Sequence, residues 1–308
     1  MNPIRIGTRR SALALWQARF VAERLRRHWP AIEVELVGIV SQGDKTLDVP
    51  LAASGGKGLF LKELEEALVE SRVDLAVHSM KDVTVTLPDG LHIGAICERG
   101  DPRDAFVSNR YQDLDEMPAG ARVGSCSLRR QAILRHLYPT LEVDNLRGNV
   151  NTRLARLDAG DFDALILAAA GLKRLDMAGR IRTELDPATF VPAVGQGAIG
   201  VECRIDDARS NELIAPLNDA DTALCVGAER VVNAALEGGC HVPIAAHAVR
   251  DGDAVQLRAL VGDTDGSRLL RAEGRAAPGQ AGDLAHRVAA DLRRQGAGDI
   301  LERVYRDH

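Results

Sequence analysis

The sequence has few aromatic residues and no long apolar run. Phe, Trp and Tyr together make up 3% of its 308 residues. No stretch approaches the ~18 consecutive apolar residues that a membrane-spanning helix requires. The chain passes from Met1 directly into a strand-like pattern, without the apolar segment of a secretory signal. We therefore expect a cytoplasmic protein with no membrane partner.

Cysteine is also scarce, and its spacing argues against two common structural uses. No C-x-x-C pair occurs, so neither a zinc site nor a disulfide framework is expected. His78 and His241 have no third ligand at a useful spacing, so we expect no metal. Unless they are modified, all the thiols should be free. The five cysteines are Cys97, Cys126, Cys203, Cys225 and Cys240.

Lysine is rare as well, and arginine supplies most of the positive charge. Only five of the 39 basic residues are lysines, and the formal net charge is -5. An acidic chain argues against nucleic acid as a partner. The planar fork of arginine suits carboxylates, and several arginines lie close together in the motifs described below. This pattern predicts a small polyanionic ligand.

The hydrophobic pattern predicts three domains. Two series of alternating strands and helices, typical of α/β sheets, end near residue 217, and ligands of such sheets gather at the carboxyl ends of strands. A loop rich in Asp, Arg and Pro, from Glu98 to Asp104, is expected between the two series, and residues 187–197, rich in Gly and Pro, are expected to return to the first domain. An α+β pattern follows. The predicted boundaries are 1–98 with 197–217, 99–196, and 218–308.

One cysteine lies in a segment built for a turn. Residues 237–243 read Glu-Gly-Gly-Cys-His-Val-Pro, and the paired glycines leave space beside the thiol of Cys240. Pro243 cannot continue a helix, so the helical run before it should end ahead of Cys240. A bulky group could be attached to this sulfur. The alternative is a structural thiol, which is the commoner role of a lone cysteine.

Four further motifs accompany this loop. They are His78-Ser79-Met80-Lys81-Asp82, Gly124-Ser125-Cys126-Ser127-Leu128-Arg129-Arg130, Leu146-Arg147-Gly148-Asn149 and Pro192-Ala193-Val194-Gly195-Gln196-Gly197-Ala198. With these five motifs the sequence resembles the porphobilinogen deaminase (hydroxymethylbilane synthase) family, in order and spacing, from Arg5 to about Leu301. The resemblance implies an α/β fold. Two domains like those of type II periplasmic binding proteins, with doubly wound mixed sheets and a two-strand hinge, precede an α+β domain that carries the cofactor cysteine.

The resemblance also implies an activity. The family joins four porphobilinogen molecules, with loss of ammonia, into the linear tetrapyrrole hydroxymethylbilane, a step of haem and porphyrin biosynthesis. Synthesis proceeds on a dipyrromethane primer held by a cysteine thioether. Cys240 matches the attachment cysteine and Asp82 the catalytic carboxylate. A monomer is expected, with porphobilinogen as its small-molecule substrate.

Each pyrrole unit carries two carboxylates, which explains why such a site needs many cations and N–H donors. By match to the family, the cofactor-binding residues are Ser79, Lys81, Asp82, Ser125, Ser127, Arg129, Arg130 and Arg147. The substrate-binding residues are Arg9, Ser11, Lys57, Phe60, Arg153, Arg174 and Gln196. For a single arginine outside the motifs, a solvated surface charge is the competing interpretation.

Two local patterns qualify this assignment. The glycine-rich stretch at residues 55–58 is not a phosphate loop, because Gly58 follows Lys57 where Ser or Thr is required. In the family it belongs to a mobile loop over the site. Cys126 stands where the family generally has a small hydroxyl residue or alanine, and Thr84 replaces a common proline. Cys126 thus places a second thiol near the predicted site.

Two other functions compete with this interpretation. A non-catalytic solute-binding protein of the same two-domain type would explain the arginines, but it would not explain a third domain bearing Cys240. A cysteine-nucleophile hydrolase would need a positioned histidine base. His241 is the neighbour of Cys240 in sequence, and adjacent residues rarely face each other.

Overall fold

The structure is a computed structural model that describes residues 3–40, 61–239 and 242–306. The chain forms two compact units, residues 1–100 with 198–223 and residues 101–197 with 224–308. It therefore leaves the first unit after Gly100, returns at Ala198 and leaves again after Ala223. The return near residue 197 agrees with the Gly- and Pro-rich crossing seen in the sequence. The boundaries of three domains and the hinge stay predictions.

The first unit contains a five-stranded mixed sheet of order β2-β1-β3-β10-β4. Its strands are β1 (Ile4–Arg9), β2 (Val34–Ile39), β3 (Leu75–Ser79), β4 (Leu91–Ile96) and β10 (Ile199–Arg204). β1 is parallel to β2 and β3. β10 is the strand formed by the returning chain, and it is antiparallel to β3 and β4. The described helices of this unit are α1 (Ala12–His28), α2 (Lys62–Val69) and α6 (Ala208–Ile214).

The second unit repeats this arrangement with the order β7-β6-β8-β5-β9. The strands are β5 (Asp104–Ser108), β6 (Arg122–Gly124), β7 (Glu142–Asp144), β8 (Ala164–Ala168) and β9 (Thr183–Glu184). β6 is parallel to β7 and β8, whereas β5 is antiparallel to β8 and β9. The helices are α3 (Leu128–Leu137), α4 (Val150–Asp158) and α5 (Ala169–Arg174). The expected pair of doubly wound mixed sheets is confirmed.

Three helices begin directly after strands because a polar side chain caps each first turn. Ser11 accepts a hydrogen bond from the N–H of Ala14 at the start of α1. Ser127 caps α3 and Asn149 caps α4 in the same way. Such caps satisfy backbone donors that a helix leaves unpaired. They fix the N-termini of these helices at the carboxyl ends of strands, as the sequence predicts.

The last part of the chain is an antiparallel sheet covered by helices, which confirms the α+β pattern. Its strands are β11 (Ile244–Asp251), β12 (Ala254–Gly262) and β13 (Leu269–Ala276), and its helices are α7 (Ala220–Ala235), α8 (Ala281–Arg294) and α9 (Ala297–Arg306). This sheet shares a core with the second α/β sheet. Leu260 belongs to the same buried cluster as Phe106 and Ile133. At Gly262 an added Cβ would lie 2.7 Å from the Cβ of Ala132, so glycine permits the close approach of α3.

A buried carboxylate ties α7 to two other segments of the second unit. Glu229 is 0% exposed. One of its oxygens accepts a hydrogen bond from the N–H of Gly195 at 2.7 Å, and the other from the N–H of Ala248 at 2.8 Å. Charged acceptors form stronger hydrogen bonds than neutral ones. Glu229 therefore joins the returning segment to the C-terminal sheet.

We expect Glu229→Gln to lower the free energy of unfolding by about 1–3 kcal/mol, because an amide offers one acceptor and leaves the other buried N–H unpaired. Urea unfolding followed by circular dichroism measures the change. Glu302→Gln, at an exposed position of α9, is the matched control and should have the stability of the unmodified protein. Equal stability of the two variants would show that Glu229 does not hold these segments.

Candidate active site

Asp82 lies on a short turn at the carboxyl end of β3. The strand ends at Ser79, and residues Met80–Asp82 form one 3-10 turn. The side chain of Met80 is buried, and its backbone N–H donates to the carbonyl of Ala198 at 3.0 Å. Lys81 is half-buried and Asp82 is exposed. Lys81 and Asp82 thus lie on a turn whose position is fixed by contacts with the core.

A buried histidine–carboxylate contact lies directly behind this turn. Nε2 of His78 is 2.7 Å from Oε2 of Glu202 on β10, and the two side chains are 3% and 0% exposed. Gly200, also on β10, gives room to the turn, since an added Cβ would lie 2.3 Å from the Sδ of Met80. The sequence did not single out Glu202. The signal for Glu202 in the sequence is an acidic residue between the apolar Val201 and Cys203 of that strand.

Three further predicted residues of the first unit lie at the same edge of its sheet. β1 and β3 are parallel, so their carboxyl ends meet at one edge. Arg9 ends β1 and Ser11 begins the next helix. The hydroxyl of Ser79 accepts a hydrogen bond from Nε2 of Gln17 at 2.7 Å, which connects β3 to α1. The structure therefore brings Arg9, Ser11 and Ser79 to the edge that carries Asp82.

In the second unit the predicted residues follow β6, β7 and β8. The N–H of Ser125 donates to the carbonyl of Asp144 at 2.9 Å, which joins the ends of β6 and β7. Arg147 is half-buried in the loop before α4. Nε of Arg153 donates to the carbonyl of Gly148 at 2.8 Å, and Nη2 of Arg174 to that of Gly197 at 2.6 Å. The N-termini of α3 and α4 favour anions here.

Arg129, Arg130 and Gln196 differ from these residues, because their polar ends are buried around one carboxylate. Nη1 of Arg129 and Nη2 of Arg130 each lie 2.7 Å from an oxygen of Asp104. Nε2 of Gln196 donates to the same carboxylate at 2.9 Å. Sequence reasoning placed Asp104 in a loop, and this was wrong. It is the first residue of β5 and is 0% exposed.

The charge of this cluster is set by the two arginines. Burial alone would raise the pKa of Asp104, but the neighbouring guanidinium charges and their hydrogen bonds hold it well below its usual range. Burial lowers the pKa of Arg129. An arginine nevertheless stays protonated in a protein. Asp104, Arg129 and Arg130 are therefore all ionised, with one carboxylate for two guanidinium groups.

The described cysteines are all free thiols, and one of them lies beside a predicted substrate-binding residue. Sγ of Cys126 is half-buried and lies 3.2 Å from Nη2 of Arg153. Cys203 is 3.4 Å from Nε2 of His92, which is the spacing of a thiol and a base. Burial raises the pKa of Cys203 to about 11, so it stays protonated at neutral pH and is not a nucleophile.

Cys240, His241, Lys57 and Phe60 lie outside the described residues, but the chain before Cys240 is well defined. Helix α7 ends at Ala235, ahead of the cysteine, as predicted. The N–H of Gly238 donates to the carbonyl of Asn233 at 2.8 Å, and an added Cβ there would lie 1.9 Å from the Asn233 Oδ1. A side chain at position 238 would therefore require the Asn233 side chain to move. The hydroxyl of Tyr305 donates to the carbonyl of Glu237, which links this turn to α9.

Within residues 3–40, 61–239 and 242–306, no three His, Cys, Asp or Glu side chains are grouped so that they could hold a metal ion. In that same part of the chain, no helix combines the length and the hydropathy needed to cross a membrane.

Two family models match nearly the whole sequence. Residues 4–212 match "porphobilinogen deaminase, dipyromethane cofactor binding domain", and residues 223–294 match "porphobilinogen deaminase, C-terminal domain". The chain belongs to the porphobilinogen deaminase family. As a porphobilinogen deaminase it is a transferase that polymerises porphobilinogen into hydroxymethylbilane and uses a dipyrromethane cofactor.

Solved structures with a similar fold include several solute-binding proteins. A putative methionine-binding lipoprotein from Bacillus subtilis has 12% identity, with 71% of this chain and 92% of that chain covered and a TM-score of 0.44. A nutrient-binding protein from Burkholderia cenocepacia, bound to methionine, has 10% identity, coverages of 71% and 93%, and a TM-score of 0.43. At such identities the likeness concerns the fold and not the ligand.

The donors at these strand ends fit the cofactor of a porphobilinogen deaminase. A dipyrromethane carries carboxylates, which are recognised by guanidinium groups, ammonium groups and helix N-termini. The strand ends of both units present such groups. One buried donor, Nε of Arg129, has no hydrogen-bond partner in the described part of the chain. A carboxylate-bearing group suits both the charge and this unpaired N–H.

The buried Asp104 predicts a definite pH dependence of stability. Its folded-state pKa lies below the unfolded value of about 3.9, so its stabilisation is complete above that value and declines as the pH falls below it. We expect Asp104→Asn to be less stable at pH 7 and to lose less stability between pH 5 and 3. Urea unfolding at several pH values measures how the stability of the variant and of the unmodified protein depends on pH. An equal loss of stability in both proteins between pH 5 and 3 would contradict this assignment.

Proposed function

We propose that Asp82 is the catalytic carboxylate of this porphobilinogen deaminase and that Cys240 holds its dipyrromethane cofactor through a thioether. The observation that carries the proposal is the position of Asp82. It is exposed on a fixed turn at the carboxyl end of β3, where the ligands of α/β sheets bind. Lys81 stands beside it as a cation for a carboxylate. Cys240 follows a glycine turn in which the N–H of Gly238 donates to the carbonyl of Asn233.

The bound dipyrromethane supplies the pyrrole carbon to which the first substrate unit is joined. Covalent attachment at Cys240 makes each condensation effectively intramolecular, an advantage of up to about 7–11 kcal/mol when the orientation is right. The chain's own contribution at the reacting centre comes from Asp82. Its carboxylate accepts hydrogen bonds from pyrrole N–H groups, stabilises the positive charge that develops as ammonia leaves, and accepts the proton lost by the pyrrole carbon.

The remaining polar residues bind carboxylates. In the first unit we assign this role to Arg9, Ser11, Ser79 and Lys81, which follow the parallel strands β1 and β3. In the second unit we assign it to the residues at the ends of β6, β7 and β8, together with the three side chains that donate hydrogen bonds to Asp104. These are Ser125, Ser127, Arg129, Arg130, Arg147, Arg153, Arg174 and Gln196. Lys57 and Phe60 belong to the same proposal by match to the family.

The proposal includes the organisation of the protein. The proposed protein has three domains, each with its own role. Residues 1–98 with 197–217 carry out catalysis, residues 99–196 bind carboxylates, and residues 218–308 carry the cofactor attachment. We further propose that the protein is a cytoplasmic monomer. Its small-molecule partner at this site is porphobilinogen, and it has no nucleic-acid partner. Sedimentation at several protein concentrations tests the monomer.

We expect purified protein to carry the added mass of two pyrrole units on the peptide that contains Cys240. Cys240→Ser should lack that mass and have no turnover, because serine cannot form the thioether. Cys126→Ser is the matched control, since its thiol lies beside Arg153, and it should keep both the mass and the activity. Intact-mass and peptide mass spectra measure this. An adduct on Cys126 would overturn the assignment.

Asp82→Asn should keep the cofactor mass but lose turnover by orders of magnitude, because an amide neither neutralises the developing cation nor accepts the proton. Single-turnover rates with porphobilinogen, measured together with the intact mass, distinguish a loss of turnover from a loss of the cofactor. Asp89→Asn, at an exposed position after the turn, is the control. Near-normal turnover of Asp82→Asn would remove Asp82 from the mechanism.

A further inference from the structure

The two arginines beside Asp104 bind its carboxylate through different edges of their guanidinium groups. Arg130 uses the edge formed by Nε and Nη2, at 3.0 and 2.7 Å from Oδ1. Arg129 uses the end formed by Nη1 and Nη2, at 2.7 Å from Oδ2 and 3.2 Å from Oδ1. Each guanidinium has five N–H donors in a rigid plane, so the edge that is used determines which donors are left.

The remaining donors of Arg129 lie side by side. Its Nη1 also donates to the carbonyl of Val191 at 2.7 Å, which occupies the second hydrogen of that nitrogen. The Nε–H and one Nη2–H are left, and these two form the second edge of the group. Nε is buried and has no partner within the described residues. In Arg130, by contrast, Nη1 donates to the carbonyl of Ile166 and Nη2 also contacts Oε1 of Gln196.

This arrangement leaves an excess of positive charge in a buried place. Arg129 and Arg130 are 3% and 5% exposed, and Asp104 is 0% exposed. The cluster contains a neutral amide, Gln196, where a second carboxylate would balance the charge. An unpaired donor on a buried cation is costly, and a native fold that keeps one usually does so for a function. Among the described residues, the excess of positive charge and the unpaired Nε–H both favour a carboxylate.

We propose that Asp104 is a positioning residue that holds Arg129 by one edge and so reserves the Nε–Nη2 edge for one carboxylate of the dipyrromethane cofactor. A carboxylate matches that edge with two parallel charge-assisted hydrogen bonds. Asp104 itself touches neither cofactor nor substrate in this proposal. The inference rests on the proposed function, in which the second unit binds cofactor carboxylates.

The first test is the charge-preserving variant Asp104→Glu, which moves the carboxylate by one methylene. The protein is expressed in cells that cannot make porphobilinogen and is then loaded with porphobilinogen in vitro. We expect the porphobilinogen concentration for half-maximal loading to rise roughly tenfold or more, since charge-assisted contacts at the Arg129 edge are weakened. Once loaded, the variant should turn over at close to the normal maximal rate. A general loss of structure would instead impair loading and also lower the maximal turnover rate of the loaded protein.

The matched control is Asp74→Glu in the first unit. Asp74 also binds an arginine through Nε and Nη2, with distances of 3.1 and 2.7 Å from Arg5, and it is largely buried. The substitution has the same chemistry and a comparable effect on packing. Its loading with porphobilinogen should be that of the unmodified protein, and both variants should be checked for folding by circular dichroism.

A second test observes the edge directly and does not depend on Asp104→Glu being folded. In protein labelled with ¹⁵N-arginine, the Nε–H resonance of Arg129 is assigned by its absence from Arg129→Lys. We expect this resonance to move downfield when the cofactor is loaded, because Nε–H gains a carboxylate acceptor. Arg129→Lys keeps the charge near Asp104 but lacks the edge, and it should load as poorly as Asp104→Glu.

The outcomes separate this inference from the proposed function. Normal loading of folded Asp104→Glu, normal loading of Arg129→Lys, or an unmoved Nε–H resonance in loaded protein would each overturn the role of Asp104. If such a result came with the cofactor on Cys240 and a defective Asp82→Asn, the proposed function would stand. Absence of the cofactor mass from Cys240 would instead overturn the proposed function itself.

Discussion

The second unit depends on one buried carboxylate. Asp104 begins β5 and accepts hydrogen bonds from Arg129 and Arg130 at the start of α3 and from Gln196 on the returning segment. A buried ion pair by itself adds little stability, because desolvation offsets the attraction, but removing one partner is strongly destabilising. The interaction therefore specifies geometry more than it adds stability. It fixes three separate segments of chain at the level where the strands end.

In the first unit, packing fixes the segment of chain at the strand end. Its returning strand, β10, presents Gly200 to the Met80 side chain and Glu202 to His78, so the turn that ends in Asp82 is held from behind. In both units, then, the residues assigned to chemistry stand at strand ends, and the chain after residue 190 contributes to their support through Gln196, Gly200 and Glu202.

Much of this organisation could be predicted from sequence, and the exceptions have physical causes. Hydrophobic spacing predicted the alternation of strands and helices, since this signal is local. Hydrophobic spacing does not encode strand direction, so it did not show that β5 and β10 are the antiparallel strands of the mixed sheets. Asp104 was assigned to a loop because Asp, Arg and Pro surround it. Its burial follows from two arginines that are 25 and 26 residues away.

The most direct measurement is a crystal structure of the protein with its cofactor attached. It should show a thioether at Cys240 and one cofactor carboxylate bound side-on to Nε and Nη2 of Arg129, with the opposite end of that guanidinium still on Asp104. A structure in which Nε of Arg129 is bound by water or by another protein group, and the cofactor carboxylates lie elsewhere, would contradict this description of the site.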